Sequence, residues 1–297
     1  MPLFDTHIVV DWSARSKPSP KRPASDAIWY CVVRDGAVDD LVYRRTRAEA
    51  AEALANLIRV ERAAGRRLLV GFDFPFGYPA GVAAKLTGKP SALSLWHWLA
   101  DRVEDAPDNA NNRYAVAEEI NRHYPGVGPC WGRPDGWDHP DVPTTQSART
   151  NEGHPPERRI ADARAKGAKT VWQLAYAGSV GSQILLGLPF VLQLRDGTDA
   201  SVWPFDTGLK APDADAVLAE IYPSLLQPQA HADKAKNEPL DAAQVRVTAR
   251  ALASLDTQDK LAPLFAPDVT AQEREIIEQE EAWILGLGFE DELRAAA

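Results

Sequence analysis

The sequence predicts an α/β protein built on a mixed β-sheet flanked by helices, and three observations carry that expectation. Short apolar, β-branched runs at 7–11, 27–34 and 41–45 are separated by turn signals such as Asp35-Gly36, which reads as a meander of three strands. A helix follows from Ala48, with Leu54, Leu57 and Ile58 on one face, and Gly65 ends it. Leu68-Leu69-Val70-Gly71-Phe72 then supplies a fourth strand. The order β-β-β-α-β sets antiparallel hairpins beside a parallel crossover, so the sheet is mixed rather than doubly wound and parallel.

Beyond residue 79 the chain changes character. Helices are expected over 91–103 and 111–123, but residues 123–159 hold seven prolines and five glycines. A connection that long and irregular reads as a functional or mobile loop, and residues 79–169 as an insertion or lid. Its tryptophans, Trp96, Trp98, Trp131 and Trp137, either pack a small core or stack on a substrate. Regular structure resumes with a helix over 170–188, broken by small residues, and with strands over 190–195 and 201–205 around Asp196-Gly197. Residues 217–222 end a helix or form a strand, and a helix after Pro239 carries Asp241, Val245, Thr248 and Leu252 on one face. An acidic amphipathic helix over 271–285 closes the chain. The whole reads as one domain over 1–297 with an acidic helical tail over 257–297, a tail that could also join two copies into a homo-oligomer.

At 297 residues, 45% hydrophobic and 25% charged, the chain is long enough to bury a full core. It contains no run of eighteen apolar residues and its first residues lack a signal peptide's basic and apolar regions, so no membrane partner and a cytoplasmic location are expected. Cys31 and Cys130 lack C-x-x-C pairing and read as free thiols. The net charge is −9, but the acidity is concentrated: residues 256–297 hold eleven acids and three bases, leaving 31 acids against 30 bases in the first 255. Two basic stretches remain, from Arg15 to Arg22 and from Arg149 to Lys169.

The chemistry is carried by carboxylates in costly places. Asp11 ends the apolar run Ile8-Val9-Val10, and Asp73 follows the fourth strand just before Phe74-Pro75-Phe76-Gly77. Taking an ionised carboxylate out of water costs several kcal/mol unless a cation, a metal or hydrogen-bond donors compensate. No lysine or arginine lies within three residues of Asp73, so a divalent metal or a set of turn amides is the expected partner. If the first and fourth strands are neighbours, Asp11 and Asp73 meet at their C-terminal ends, and a helix across the sheet brings Asp241 to the same point. Glu220 is a fourth candidate, as an auxiliary ligand or base. Hard oxygen ligands favour Mg²⁺ or Mn²⁺, and such sites support phosphoryl transfer. Ser13, Arg15, Arg158, Arg159, Lys234 and Lys236 are the candidate substrate contacts. No P-loop, zinc spacing, nucleophile elbow or dinucleotide fingerprint is present.

Four motifs in order, Val9-Val10-Asp11-Trp12-Ser13, Gly71-Phe72-Asp73-Phe74-Pro75-Phe76-Gly77, Glu220-Ile221-Tyr222-Pro223-Ser224 and Asp241-Ala242-Ala243, resemble the ribonuclease H-like superfamily, in particular a group of uncharacterised bacterial predicted nucleases. The resemblance covers roughly residues 5–80 and 170–256. It implies a ribonuclease H-like fold in which Asp11, Asp73 and Asp241 coordinate metal for phosphodiester hydrolysis, with Glu220 nearby. A nucleic acid or a small phosphorylated metabolite is the implied partner. Two other readings remain open from the sequence: a small-molecule phosphotransferase of the sugar-kinase type, for which the chain is short and the Asp11-Trp12-Ser13 turn lacks a phosphate-binding glycine, and a catalytically silent ligand-binding module.

Overall fold

The computed structural model describes residues 2–176 and 178–297. Its strands are β1 (Thr6–Asp11), β2 (Ile28–Arg34), β3 (Ala37–Arg44), β4 (Leu68–Phe72), β5 (Ser201–Val202) and β6 (Ala216–Glu220). They form one six-stranded sheet in the order β3-β2-β1-β4-β6-β5. β2 is antiparallel to β1 and β3, whereas β1, β4, β6 and β5 run parallel, so the sheet is mixed. The helices are α1 (Arg47–Ala63), α2 (Val82–Thr87), α3 (Ala92–Ala100), α4 (Arg113–Arg122), α5 (Ile160–Arg164), α6 (Gly181–Thr198), α7 (Gln227–Asp233), α8 (Leu240–Thr257), α9 (Ala271–Ile276) and α10 (Glu290–Ala296).

Alternation along the strands sends side chains to two cores. Ile8, Val10, Leu68, Val70, Phe72 and Leu218 pack with α1, α3 and α6 on one face. Val9, Cys31, Leu69, Val217 and Ala219 pack with α8 on the other. The central strands are covered on both faces, which is why they read as unbroken apolar runs. α1 starts where Thr46 accepts a hydrogen bond from the Glu49 amide at 3.2 Å, an N-cap, and the chain leaves it through Gly65 at φ 71°.

Two anchors set how α8 lies on the sheet. Near its C-terminal end, buried Asp256 accepts from the Leu3 and Phe4 amides at 2.7 and 2.9 Å and is hydrogen-bonded to His7 Nε2 at 3.0 Å. The start of β1 is therefore tied to the end of α8. Ala242, Ala243, Ala249 and Ala253, all buried, let the helix approach the sheet closely.

The second half departs from the sequence expectation. Residues 190–195 belong to α6 and are not a strand, and Asp196 and Gly197 lie within that helix rather than in a turn. The expected helix over 170–188 is realised only from Gly181 onward. Because α6 is buried nearly all round, from Ile184 to Leu194, its apolar residues show no helical stripe, and Phe190-Val191 imitates a strand. Residues 217–222 resolve as β6 followed by a turn at Pro223–Leu226. The single closing helix is instead α9, a π-turn at Ile277–Glu281, a buried irregular segment with Trp283 to Leu287, and α10.

Within 79–169 the short helices α2 to α4 share the core of the sheet's α6 side, through Trp96, Tyr114, Ile120 and Val142 among others, whereas Ala161 of α5 packs in the core on the α8 side. Trp96 and Trp98 are buried, and the Trp96 indole donates to the Phe76 carbonyl at 2.9 Å, which is a packing role. Cys31 and Cys130 are free and buried, with burial pushing both thiols up to about 12. No helix among the described residues is long and apolar enough to cross a membrane.

Candidate active site

The parallel register of β1 and β4 builds the site. Val10 pairs with Phe72, and the Asp73 amide donates to the Val10 carbonyl at 3.1 Å, so Asp11 and Asp73 stand side by side past the C-terminal edge of the sheet. Both follow the parity of Val9 and Leu69, which face α8. Their carboxyl groups share a hydrogen bond, and Asp73 Oδ1 also accepts from the Trp12 amide at 2.8 Å. α8 runs back over the sheet from its anchor at Asp256 and presents Asp241, in its first turn, at the same end.

Asp26 joins this group, and the sequence reading missed it. At φ 54° it occupies the left-handed region that Asp tolerates, which lets its amide donate to Asp241 Oδ2 at 2.9 Å while its carbonyl accepts from the Ser13 hydroxyl at 2.6 Å. A lone Asp in a Ser/Pro-rich loop carried no signal of that position.

Electrostatics follow from four acids that line one cleft. Burial pushes the Asp11 carboxyl well above its ordinary value, and the charges of Asp73, Asp241 and Asp26 add to the shift. Burial also pushes Asp73 up, to about 6, even though the hydrogen bonds from Asp11 and the Trp12 amide favour its ionised form. Burial raises Asp241, opposed by the hydrogen bond from the Asp26 amide and assisted by the Asp26 charge. No lysine or arginine forms an ion pair with any of these acids among the described residues. Burial and the neighbouring charges thus favour the protonated form of this pair.

The loop after β1 is held from several sides. Buried Arg47 donates to the Ser13 and Arg15 carbonyls at 3.0 and 2.8 Å and grips Asp105 with two bonds of 2.5 and 2.6 Å. The Gln183 amide reaches the Trp12 carbonyl at 2.5 Å, and the Trp12 ring stacks on Phe190 at 4.5 Å. An open cleft of about 690 Å³ lies over the site, lined by Asp11, Asp26, Asp73 and Asp241 on one side and by Arg15, Arg113 and Lys169 among its other residues.

Of the residues expected from the sequence, Asp11, Ser13, Arg15, Asp73 and Asp241 line this cleft. Glu220 does not. It pairs in register with Phe72 and follows the parity of Leu218, so its side chain leaves the opposite face of the sheet from Asp11 and Asp73. There it accepts from Arg159 at 2.6 and 2.7 Å and from the Phe76 amide at 2.9 Å. Arg159 is corrected with it: wholly buried, it holds Glu220, Asp162 and the Glu281 carbonyl, and is no substrate contact. Burial opposes its charge, but Asp162 and Glu220 keep the guanidinium well above its ordinary value. Arg158, Lys234 and Lys236 also lie outside the cleft lining. Trp96, Trp98, Trp131 and Trp137 do not line it either, whereas Trp12 does.

The residues suit a hard cation. Carboxylate oxygens that repel one another, with no ammonium or guanidinium paired to them, are the ligands Mg²⁺ and Mn²⁺ take. Among the described residues no group of three or more His, Cys, Asp or Glu converges at metal-binding spacing. The assembled part is the Asp11–Asp73 pair, with Asp241 tethered to the Asp26 amide. Mg²⁺ is commonly held by one or two carboxylates together with substrate phosphate oxygens, and a two-carboxylate core meets that need. Comparison with protein-family models, with curated proteins and with solved structures yields no match to the chain.

Three outcomes follow. Because the folded pKa of Asp73 lies above its ordinary 3.8, the folded chain keeps a proton that the unfolded chain has lost, and this stabilisation is present below about pH 4 and lost as pH rises through about 6. In chelator, Asp73→Asn should therefore gain in Tm relative to wild type as pH is raised from about 4 to about 8, and a Tm difference independent of pH contradicts the assignment. Arg159→Met strands two buried acids and should cost about 3–5 kcal/mol in urea unfolding. Glu220→Gln should leave Mn²⁺ affinity unchanged, and loss of that affinity would restore Glu220 as a ligand.

Proposed function

We propose that this protein is a divalent-metal-dependent hydrolase of phosphodiester bonds on a ribonuclease H-like domain. The observation that carries the reading is the Asp11–Asp73 carboxyl pair, set side by side at the C-terminal ends of two parallel strands and left without a cationic partner. The strand order and the placement of α8 support the fold assignment, since they bring Asp11 and Asp73 together at the end of the sheet where α8 begins with Asp241.

Asp11 and Asp73 would hold the cation, and Asp241 would join them from the start of α8. Bound there, Mg²⁺ or Mn²⁺ supplies an activated water and neutralises charge developing on the phosphoryl oxygens. The chain's own contribution is positioning. The Trp12 amide fixes one Asp73 oxygen, leaving the other for the cleft. Arg47 and Gln183 hold the loop that carries Trp12 and Ser13.

A small phosphodiester is favoured over a long polymer by the fate of the basic stretch 149–169. Arg149 pairs with Glu157, Arg159 is buried, and Arg164 pairs with Glu273, so only Lys169 of the basic residues considered there lines the cleft. Nucleic-acid binding draws its affinity from many phosphate contacts, and this face offers no continuous track. The phosphotransferase alternative calls for two actin-like lobes, whereas the described residues form a single sheet.

Wild type with Mn²⁺ should hydrolyse bis(p-nitrophenyl) phosphate, and Asp11→Asn and Asp73→Asn should each lower kcat at least ~100-fold. Full activity in Asp73→Asn, or activity indifferent to chelator, contradicts the reading.

A further inference from the structure

The cation most closely built into the cleft has no counter-ion. Arg113, at the start of α4, sends Nε to the Ser182 hydroxyl at 2.9 Å and Nη1 to the Ser16 hydroxyl and Asn111 Oδ1, both at 2.7 Å. Its guanidinium also lies 4.9 Å from the centre of the Tyr114 ring. These partners orient the group firmly, and all are neutral. Asp105, the nearest acid acting on it, is already gripped by both arms of Arg47. Elsewhere in the chain partly buried arginines find carboxylates: Arg47 with Asp105, Arg195 with Asp206, Arg246 with Glu238. A guanidinium held by neutral oxygens and withdrawn from water is an expensive arrangement unless an anion completes it.

Arg113 faces the same cleft as the four acids, with Nη2 left over from its hydrogen bonds to Ser182, Ser16 and Asn111. Arg15 and Lys169 line that cleft too. A volume of about 690 Å³ matches a ligand of mononucleotide size.

We propose that Arg113 is the receptor for a second phosphate of the substrate, so that the substrate is a small molecule carrying a phosphate group besides the phosphodiester held at Asp11 and Asp73. This rests on the hydrolase reading above and adds the substrate class. The cleft then has two stations, a metal-dependent one at the carboxylates and a metal-independent one at Arg113, with the Ser16, Asn111 and Ser182 oxygens aiming the guanidinium fork.

The test separates the stations by using inorganic phosphate and Mn²⁺ as independent probes on the full chain. In chelator, calorimetric titration should show phosphate binding to wild type, weakened at least ~10-fold in Arg113→Gln and less in Arg113→Lys, which keeps the charge but loses the fork. Mn²⁺ affinity, measured separately without phosphate, should be the same in all three proteins, which also shows that the variants are folded. Phosphate affinity equal in wild type, Arg113→Gln and Arg113→Lys overturns the proposal, as does a wild type that binds no phosphate. Arg113-dependent phosphate binding in a wild type that takes up no Mn²⁺ upholds the anion station and overturns the metal reading instead.

Discussion

The parallel pairing of β1 with β4 is the constraint on which the site depends. Its register sets Val10 opposite Phe72, so that Asp11, the last residue of β1, and Asp73, the first after β4, are carboxylates brought together where the sheet ends. Both lie on the α8 face because side chains alternate along a strand. Once that register is formed the two acids cannot separate without breaking the ladder, so their repulsion is absorbed by a shared proton or by a cation. Burial and the nearby charges push Asp73 up to about 6 and Asp11 well above its ordinary value, which favours the protonated form of the pair.

The surrounding structure holds this unfavourable pair in place through interactions of ordinary strength. Asp256 ties the end of α8 to the start of β1, and the helix then carries Asp241 to the opposite end of the strand. Arg47 and Asn109 join the loop after β1 to residues 105–109, so the segment beyond residue 79 acts as a buttress at the cleft. On the other face the Arg159–Glu220–Asp162 network locks the segment after β4 by engaging the Phe76 amide and the Glu281 carbonyl. The two acidic groups thus have opposite fates: Glu220 is paired and structural, whereas Asp11 and Asp73 are left without a cation.

What the sequence made legible was local. Strands β1 to β4 and helix α1 follow from β-branched runs, a Thr cap and glycine stops, and Asp11, Asp73 and Asp241 stand out because each sits beside apolar residues. What it hid was tertiary. That Glu220 lies outside the site was hidden because the sequence leaves residues 217–222 as either helix or strand, and the parity of β6 turns that side chain to the far face. The helix α6 was split because it is buried on all sides and therefore shows no period. Asp26 and Arg113 owe their places to loop geometry and to oxygens supplied by Ser16, Asn111 and Ser182, residues scattered along the chain whose convergence no spacing reveals.

The central claim is that burial holds the Asp11–Asp73 pair towards its protonated form, and any proton a cation displaces can be counted. Calorimetric titration of Mn²⁺ into the chain at pH 7, repeated in buffers of different ionisation enthalpy, reports protons exchanged per cation bound. Carboxyls raised by burial predict net proton release on Mn²⁺ binding, growing as pH is lowered towards about 6 and smaller in Asp11→Asn. Cation binding with no proton released, or with proton release unchanged in Asp11→Asn, would contradict the account.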